Sequence, residues 1–198
     1  SASTIAAHVV TYTVDGVSSD FSLSVVSPPY ASTRSFSFDG TDDYFEIQNS
    51  PLDVLDTSGV ISISFWYYTS STGTGFAFAQ KNSGAFELYK TSSWFLSKSG
   101  NVSFTPSQPP VILNEWVHVV LTLPKNAGTA NFYQNSVSGG QQLYTGAHNN
   151  VITISGFPLN IGRRANNLHF FDGLLDEVSI WDSALSSDAV TEIYNSGA

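Results

Sequence analysis

The stretch ISISFWYY, residues 61 to 68, alternates apolar and polar residues and then continues into four aromatic residues. A two-residue period is typical of a β-strand that buries one face. The same alternation returns in RSFSF, YFEIQ, FAFAQK, FELYK, WVHVVLTL, ANFYQ and EVSIW, and turn-forming runs such as TSSTGTG, KNSG and PKNAG separate these segments. Many short strands between tight turns predict an all-β protein, a two-sheet antiparallel β-sandwich or jelly roll.

The two ends of the chain follow other patterns. LSSDAVTEIYNSGA, at the C-terminus, is typical of one short helix, with Ser186 as its N-cap and Gly197 just past its end. At the N-terminus, VVTYTV and FSLSVV flank an Asp-Gly pair, and two prolines follow. We therefore predict a hairpin or extension over residues 1–29 and a main domain over residues 30–198.

Composition limits the classes of partner. The chain has 198 residues, and 12% of them are charged, so much of the surface must be polar and uncharged, as suits an extracellular, cell-surface or virion protein. The 16 acidic and 7 basic residues give a formal charge of -9, which disfavours nucleic acid and anionic membranes as partners. No apolar run approaches the ~20 residues that span a bilayer. Because methionine is absent, we expect a piece of a longer parent protein.

Two acidic turns, far apart in sequence, begin with the same Phe-Asp-Gly triplet. They are FDGTDDYFEI at residues 38–47 and FDGLLDEVSIW at residues 171–181. In the first turn, glycine permits a tight reversal that places Asp39, Asp42 and Asp43 close together, and a divalent cation would relieve their repulsion. Calcium suits such a turn because it takes six to eight oxygen ligands. The alternative is that Asp39 and Asp172 only form Asx turns before glycine.

The order of five segments resembles one known family. SFSFDGTDDYFEI, ISISFWYY, NEWVHVVLTL, LNIG and FFDGLLDEVSIWDSALSSDAVTEIY are similar to the laminin-G-like members of the concanavalin A-like lectin and glucanase superfamily. The similarity covers about residues 33 to 198. It implies a two-sheet jelly roll, often with calcium at one rim. It also implies that the first and last strands share a sheet, which would bring Asp172 and Asp176 near Asp39, Asp42 and Asp43.

Other metal sites fit the sequence less well. In a loop that begins at Asp39, Tyr44 stands where an EF-hand requires glycine and Ser50 where it requires glutamate. The four histidines show no paired spacing and cysteine is absent, which disfavours zinc. His118 alternates with valines and is expected on a strand face.

Sequence motifs that would indicate a catalytic site are weak as well. Glucanases of this superfamily carry Glu-x-Asp-x-(x)-Glu along one strand, and this chain lacks it. The nearest pair, Asp176 and Glu177, would leave opposite faces of a strand. No G-x-S-x-G motif is present, although a Ser-His-Asp arrangement assembled in space stays open. We therefore expect a protein that is not an enzyme.

Sugar sites typically combine an aromatic platform with polar groups on loops of a rigid scaffold. Three stretches supply such groups: ELYKTSSW, LYTGAHNN and GRRANNLHF. The candidate ligand-binding residues are Tyr89, Trp94, Tyr144, His148, Arg163, Arg164, Asn166, Asn167 and His169. The remaining tryptophans, Trp66, Trp116 and Trp181, alternate with apolar neighbours and are assigned to the core.

These observations favour a non-catalytic module that binds carbohydrate or a glycosylated surface through rim loops near calcium. One alternative is a structural or assembly domain of a viral or extracellular fibre, decoration or adhesin protein, for which a homo-oligomer would argue. A glycoside hydrolase with unfamiliar catalytic residues is the other alternative.

Overall fold

The computed structural model describes residues 8–14, 17–23, 34–48, 60–80, 86–97, 101–102, 109–124, 128–144 and 156–197. These ranges contain strands and one C-terminal helix. The elements are β1 (His8–Val14), β2 (Val17–Leu23), β3 (Phe36–Asp39), β4 (Phe45–Ile47), β5 (Val60–Tyr68), β6 (Gly75–Gln80), β7 (Phe86–Lys90), β8 (Trp94–Ser97), β9 (Asn101–Val102), β10 (Val117–Pro124), β11 (Gly128–Gln134), β12 (Val137–Tyr144), β13 (Leu159–Ile161), β14 (Asp172–Trp181) and α1 (Ser187–Gly197).

Two six-stranded sheets make up the main body. The first sheet has the order β12-β11-β10-β5-β14-β3, and the second has the order β4-β13-β6-β7-β8-β9. The paired strands are antiparallel throughout both sheets. The predicted all-β sandwich with two antiparallel sheets and one short C-terminal helix is therefore confirmed.

The N-terminal strands form a separate sheet. β1 and β2 pair antiparallel, with His8 opposite Leu23 and Val14 opposite Val17. The division of the chain at residues 29 and 30 lies outside the described residues, so the proposed domain boundary stays a prediction.

The core forms between the two sheets, and β5 supplies its centre. Ile61, Ile63, Phe65 and Tyr67 are fully buried, as the two-residue alternation requires. The ring of Phe65 lies 5.1 Å from the ring of Phe78 on β6, in the other sheet. Burying one such side chain contributes roughly 1.5–3 kcal/mol to the stability of the fold.

The two Phe-Asp-Gly triplets face each other across β3 and β14. Asp39 lies opposite Asp172, and Phe38 lies opposite Gly173. Gly173 has φ +148°, and a Cβ there would lie 2.3 Å from the carbonyl oxygen of Tyr68, so no other residue fits. The first and last strands of the sandwich therefore lie side by side, as the family resemblance implies.

The helix α1 packs on the outer face of the first sheet. The Ala189 N–H donates to Ser186 Oγ at 3.2 Å, so Ser186 is the N-cap as predicted. Val190 is fully buried, and the ring of Tyr194 stacks on Trp66 with centroids 5.6 Å apart. Gly197 is the last helical residue rather than the residue after it. No helix within the described ranges is long and apolar enough to cross a lipid bilayer.

The tryptophans assigned to the core from the sequence divide into three cases. Trp66 is buried, but it lies beneath α1 on the outer face of the first sheet rather than between the sheets. Trp181 is half-buried. Trp116 is 40% exposed, so its assignment to the core was wrong. It stands immediately before β10, and since the neighbouring Val117 faces the core, Trp116 lies on the outer face of the first sheet beside Tyr68.

His118 lies beside Trp66 under the same helix. Its side chain is almost fully buried, and its Nε2 lies 2.7 Å from Ser64 Oγ. No described residue hydrogen-bonds its Nδ1, so the pair has no third, acidic member within the described ranges. Burial lowers the pKa of His118 to about 4, because the protonated ring would lose its hydration without gaining a counter-charge.

We expect His118 to make the fold sensitive to acid. An unfolded chain binds a proton on this ring near pH 6.5, whereas the folded chain binds it only near pH 4. Its contribution is therefore complete above the unfolded value and is lost as the pH falls toward 4. Between about pH 7.5 and about pH 5 this removes about 2 kcal/mol from the free energy of unfolding.

Urea unfolding at the two pH values would measure this loss, with His118→Gln as the test variant. The fall in the free energy of unfolding between the two pH values should be about 2 kcal/mol smaller in His118→Gln than in the wild type. It should persist in His169→Gln, because His169 is exposed. Equal losses in the wild type and in His118→Gln would contradict the assignment.

Candidate functional site

A row of rings crosses the outer face of the second sheet. Strand register places Phe76 opposite Tyr89 and Tyr89 opposite Phe95. The ring centroids are 4.8 Å apart for the first pair and 5.2 Å for the second, with nearly parallel planes. His169 continues the row at 5.8 Å from Phe76. We call Phe95, Tyr89, Phe76 and His169 the aromatic row.

Alternation along the strands explains why this row faces outward. On β7, Phe86 and Leu88 are fully buried in the core, and Tyr89 between Leu88 and Lys90 points to the other face. Tyr89 and Phe95 are half-buried, and His169 is exposed. Burial, together with the charge of nearby Glu87, raises the pKa of Tyr89, so its hydroxyl keeps its proton and can donate a hydrogen bond to a ligand.

Arg164 lies beside the row and pairs with a buried carboxylate. Its Nε donates to Glu87 Oε1 at 2.8 Å, and its guanidinium lies 5.4 Å from the centre of the Phe76 ring. Glu87 is only 4% exposed, so the arginine compensates a charge that would otherwise be buried alone. The pair holds one cation and one anion in fixed positions next to the rings.

Arg163 serves the scaffold rather than a ligand. It is 7% exposed. Its Nε donates to Asn160 Oδ1 at 2.8 Å, its Nη2 pairs with Glu46 Oε2 at 2.8 Å, and its Nη1 donates to Asn167 Oδ1. The guanidinium also covers the ring of Tyr44. Arg163 therefore ties β4 and β13 to the following loop.

That loop, residues 162–170, has an unusual backbone that is fixed at several points. Asn167 and His169 have φ of +60° and +54°, values that few residues other than glycine adopt. The Arg164 N–H donates to the Leu168 carbonyl at 3.1 Å, and the Phe76 N–H donates to the His169 carbonyl at 3.2 Å. These bonds hold His169 at the end of the aromatic row.

The sequence-predicted ligand-binding residues therefore separate into groups. Tyr89, Arg164 and His169 come together at the aromatic row, and Arg163 with Asn167 supports the loop behind them. Asn166 is exposed in the same loop. Tyr144 ends β12 opposite Gly128, but its side chain lies outside the described part of the structure, as does the whole of His148.

Trp94 was assigned to the ligand site, and this assignment was wrong. The side chain is fully buried, with its ring 5.7 Å from Phe65, 5.2 Å from Tyr67 and 6.2 Å from Phe132. Trp94 pairs with Lys90, and Phe95 pairs with Tyr89, so the two neighbours on β8 point to opposite faces. Phe95 is the outward residue that was missed, and the alternation relative to Tyr89 was the available signal.

The first acidic turn brings three carboxylates together. Ligand oxygens of Asp39, Asp42 and Asp43 lie within 4.8 Å of one another, and all three residues are exposed. Asp39 Oδ1 accepts the Thr41 and Asp42 N–H groups at 2.8 and 3.3 Å, which is the Asx turn of the alternative interpretation. The Asp39 N–H donates to Asp43 Oδ2 at 3.1 Å, so the turn is shaped by its own hydrogen bonds.

The two aspartates of the second acidic turn lie at different distances from the first turn. Asp172 lies directly opposite Asp39 in the sheet. Asp176 lies four residues further along β14, opposite Trp66, and its Oδ1 accepts the Glu177 N–H at 2.8 Å. Four residues of a strand span about 13 Å. Neither residue belongs to the described group of carboxylates that lie within 4.8 Å of one another.

The buried side chain of Lys90 places a positive charge beneath Asp172. The sequence did not predict this arrangement. The lysine is fully buried, and its Nζ donates to the carbonyl oxygens of Ser71 and Gly73 at 2.7 and 3.1 Å. Burial lowers the pKa of Lys90, and the charge of Asp172 opposes that shift.

The chain belongs to the concanavalin A-like lectin/glucanase superfamily, since a laminin-G-like family model matches residues 39–191. The fold that the resemblance implied is therefore confirmed for most of the chain. None of the curated proteins compared with the sequence matches it significantly.

Solved structures share the fold at low sequence identity. Domain 4 of AbnA, a GH43 extracellular arabinanase from Geobacillus stearothermophilus solved with arabinotriose, has 17% identity and TM-score 0.51, covering 70% of this chain and 69% of that one. A putative carbohydrate binding protein from Bacteroides ovatus has 15% identity and TM-score 0.58, covering 80% and 46%. A heptameric SAP-like pentraxin from Limulus polyphemus has 16% identity and TM-score 0.53, covering 80% of both chains.

We expect Trp94→Ala to destabilise the protein by about 3–5 kcal/mol, because removing a fully buried indole leaves a cavity between the sheets. Urea unfolding would measure this loss. Tyr89→Ala, which removes a half-buried ring from the outer face, is the matched variant and should lose much less. Similar unfolding free energies for the two variants would mean that Trp94 lies on the surface and not in the core.

Proposed function

We propose that this protein is a non-catalytic carbohydrate-binding module that acts outside the cytoplasm. The observation that carries the proposal is the aromatic row, which lies with the Arg164–Glu87 pair on the outer face of the second sheet. Ligand sites are typically lined by aromatic side chains with a few fixed polar groups, and here the edges of stacked rings lie beside an arginine–glutamate pair. The arabinotriose complex of the arabinanase domain and the putative carbohydrate binding protein from Bacteroides ovatus support a glycan as the ligand class.

The charges at this site favour a neutral glycan. Arg163 is paired with Glu46 and Arg164 with Glu87, each at 2.8 Å, so neither guanidinium offers an unmatched charge to an acidic sugar. The free N–H groups of Arg164 and the Tyr89 hydroxyl can still donate to sugar oxygens.

The same pairing argues against hydrolysis. A retaining glycosidase needs two carboxyl groups about 5 Å apart, one of them an acid with a raised pKa. Glu46 and Glu87, the acidic side chains described on this face, are instead each paired with an arginine at 2.8 Å. We therefore assign binding rather than catalysis to this face.

We also propose calcium at the first acidic turn. Ligands on opposite sides of a calcium ion stand at most about 5 Å apart, and the oxygens of Asp39, Asp42 and Asp43 meet that limit at 4.8 Å. The donor set is all oxygen, as a hard cation prefers. Calcium would neutralise three neighbouring carboxylates and so stabilise the edge where β3 meets β14.

An assembly role is the second candidate, and an exposed apolar edge favours it. Phe36, Phe45 and Ile47 are 54%, 43% and 37% exposed. They line a cavity of about 300 Å³ together with Phe38, Ile161, Leu175, Val178 and Glu46. An oligomer in light scattering that dissociates in Phe36→Ser would support this role over a purely glycan-binding one.

For glycan binding, we expect Tyr89→Ala to lower affinity by about tenfold or more, because it interrupts the aromatic row. Tyr89→Phe, which removes only the hydroxyl, should lose less. A glycan array of neutral and acidic sugars would select the ligand, and calorimetry would then compare the variants. Phe157→Ala, an exposed ring away from the row, is the control and should bind normally. A ligand whose affinity is the same for Tyr89→Ala and the wild type would contradict this site.

For calcium, we expect millimolar calcium to raise the melting temperature relative to EGTA, because an ion that binds only the folded state stabilises it. Asp43→Ala should abolish the increase. Asp176→Ala should retain it, because Asp176 lies outside the group of three. Identical melting curves in calcium and in EGTA would end the proposal.

A further inference from the structure

A second aromatic surface lies on the opposite side of the sandwich from the aromatic row. On the outer face of the first sheet, Leu174 is opposite Tyr68, and Trp116 stands beside Tyr68 at the start of β10. The rings of Tyr68 and Trp116 have centroids 6.0 Å apart at an angle of 55°. We call Leu174, Tyr68 and Trp116 the rim strip. Its tryptophan is 40% exposed, and the other two side chains are half-buried.

The helix that covers this face does not extend over the rim strip. Trp66, two residues before Tyr68 on the same face, is stacked under Tyr194 of α1 and is 8% exposed. Among the described residues, Tyr68 is the ring that contacts Trp116. Tryptophan is enriched at protein contact surfaces, and this one packs on a second apolar side chain instead of standing alone.

The backbone holds the exposed tryptophan in place. Asn114, with φ +62°, donates its N–H to the Thr69 carbonyl at 2.9 Å. The Ile112 N–H donates to the Tyr67 hydroxyl at 3.0 Å. The segment before Trp116 is thus tied to the end of β5, so binding would require little reordering of this side chain.

The surroundings of the rim strip are acidic. Asp172 is two residues from Leu174 on the same face of β14, and Asp39 lies opposite Asp172. Glu115, next to Trp116, is exposed. Lys90, the cation near Asp172 in the described part of the chain, is fully buried with its Nζ on two carbonyl oxygens, so it offers nothing to the surface. An aromatic strip with carboxylates beside it is complementary to a positively charged partner.

We propose that the rim strip binds a lysine- or arginine-rich segment of a partner protein. A cationic side chain lies over the face of Trp116, and its neighbours in the segment pair with Asp172, Asp39 and Glu115. Leu174 and Tyr68 contact the aliphatic stem of the cationic side chain. This surface is separate from the aromatic row, so it does not depend on the proposed glycan site.

The test uses hexalysine as the probe, in EGTA so that calcium does not compete for the acidic turn. Binding is followed by the indole N–H signals of the ¹⁵N-labelled protein, assigned with Trp116→Phe. We expect hexalysine to shift the Trp116 signal. Fully acetylated hexalysine, which has no charge, should leave that signal unchanged.

The affinity of the variants completes the test. Trp116→Ala should weaken hexalysine binding by about fivefold, which is the contribution of one exposed cation–π contact. Trp116→Phe should retain part of the affinity, and Phe157→Ala, an equally exposed ring elsewhere, should retain all of it. Equal affinity for Trp116→Ala and the wild type would overturn the proposal, because binding would then be general attraction to an acidic protein. A Trp116 signal that responds to neutral oligosaccharides or to the acetylated peptide, and not to hexalysine, would also overturn it.

Discussion

The pairing of β3 with β14 determines where almost every other feature lies. Across this pair Asp39 meets Asp172, and the ring of Phe38 lies 6.1 Å from that of Phe171 in the core. Phe38 in turn fills the space beside Gly162, where a Cβ would lie 2.3 Å from the Phe38 ring. The Phe171 N–H donates to the Gly162 carbonyl at 2.7 Å. The loop that carries Arg163, Arg164 and His169 therefore begins and ends beside the pairing of β3 with β14.

Charge on the outer face of the second sheet is arranged in matched pairs. Burying an ion without a partner costs several kcal/mol, and the buried arginine and glutamate described on this face each have a partner on a different element. Glu46 on β4 holds Arg163, and Glu87 on β7 holds Arg164. The two pairs link an edge strand and a central strand to one loop, so the stability of the sheet and the geometry of the candidate site depend on the same four side chains. A substitution in either pair would therefore change both the stability of the sheet and the geometry of the candidate site.

Much of the fold was readable from sequence, because a two-residue alternation and turn residues together specify strands and their ends. The ISISFWYY segment proved to be a central strand with every second side chain in the core. Alternation shows that neighbouring side chains point to opposite faces of a strand. It does not show which face is buried when both faces carry aromatic rings. Trp94 was therefore mistaken for a surface residue and Phe95 was overlooked. Trp116 was misplaced for the same reason, since its neighbour Val117 takes the core side and leaves the tryptophan on the outer face. Lys90 and the Glu partners of the arginines depend on contacts between distant strands, which no local pattern encodes.

The orientation of the rings in the aromatic row restricts how a ligand can approach. Tyr89 is stacked between Phe76 and Phe95, so both of its faces are already covered and its edge is what remains for solvent. Ring edges carry partial positive charge, whereas ring faces carry partial negative charge. A ligand here meets a surface that attracts oxygen lone pairs rather than the apolar C–H side of a sugar. Association at this face should accordingly be driven by enthalpy, with a small heat-capacity change.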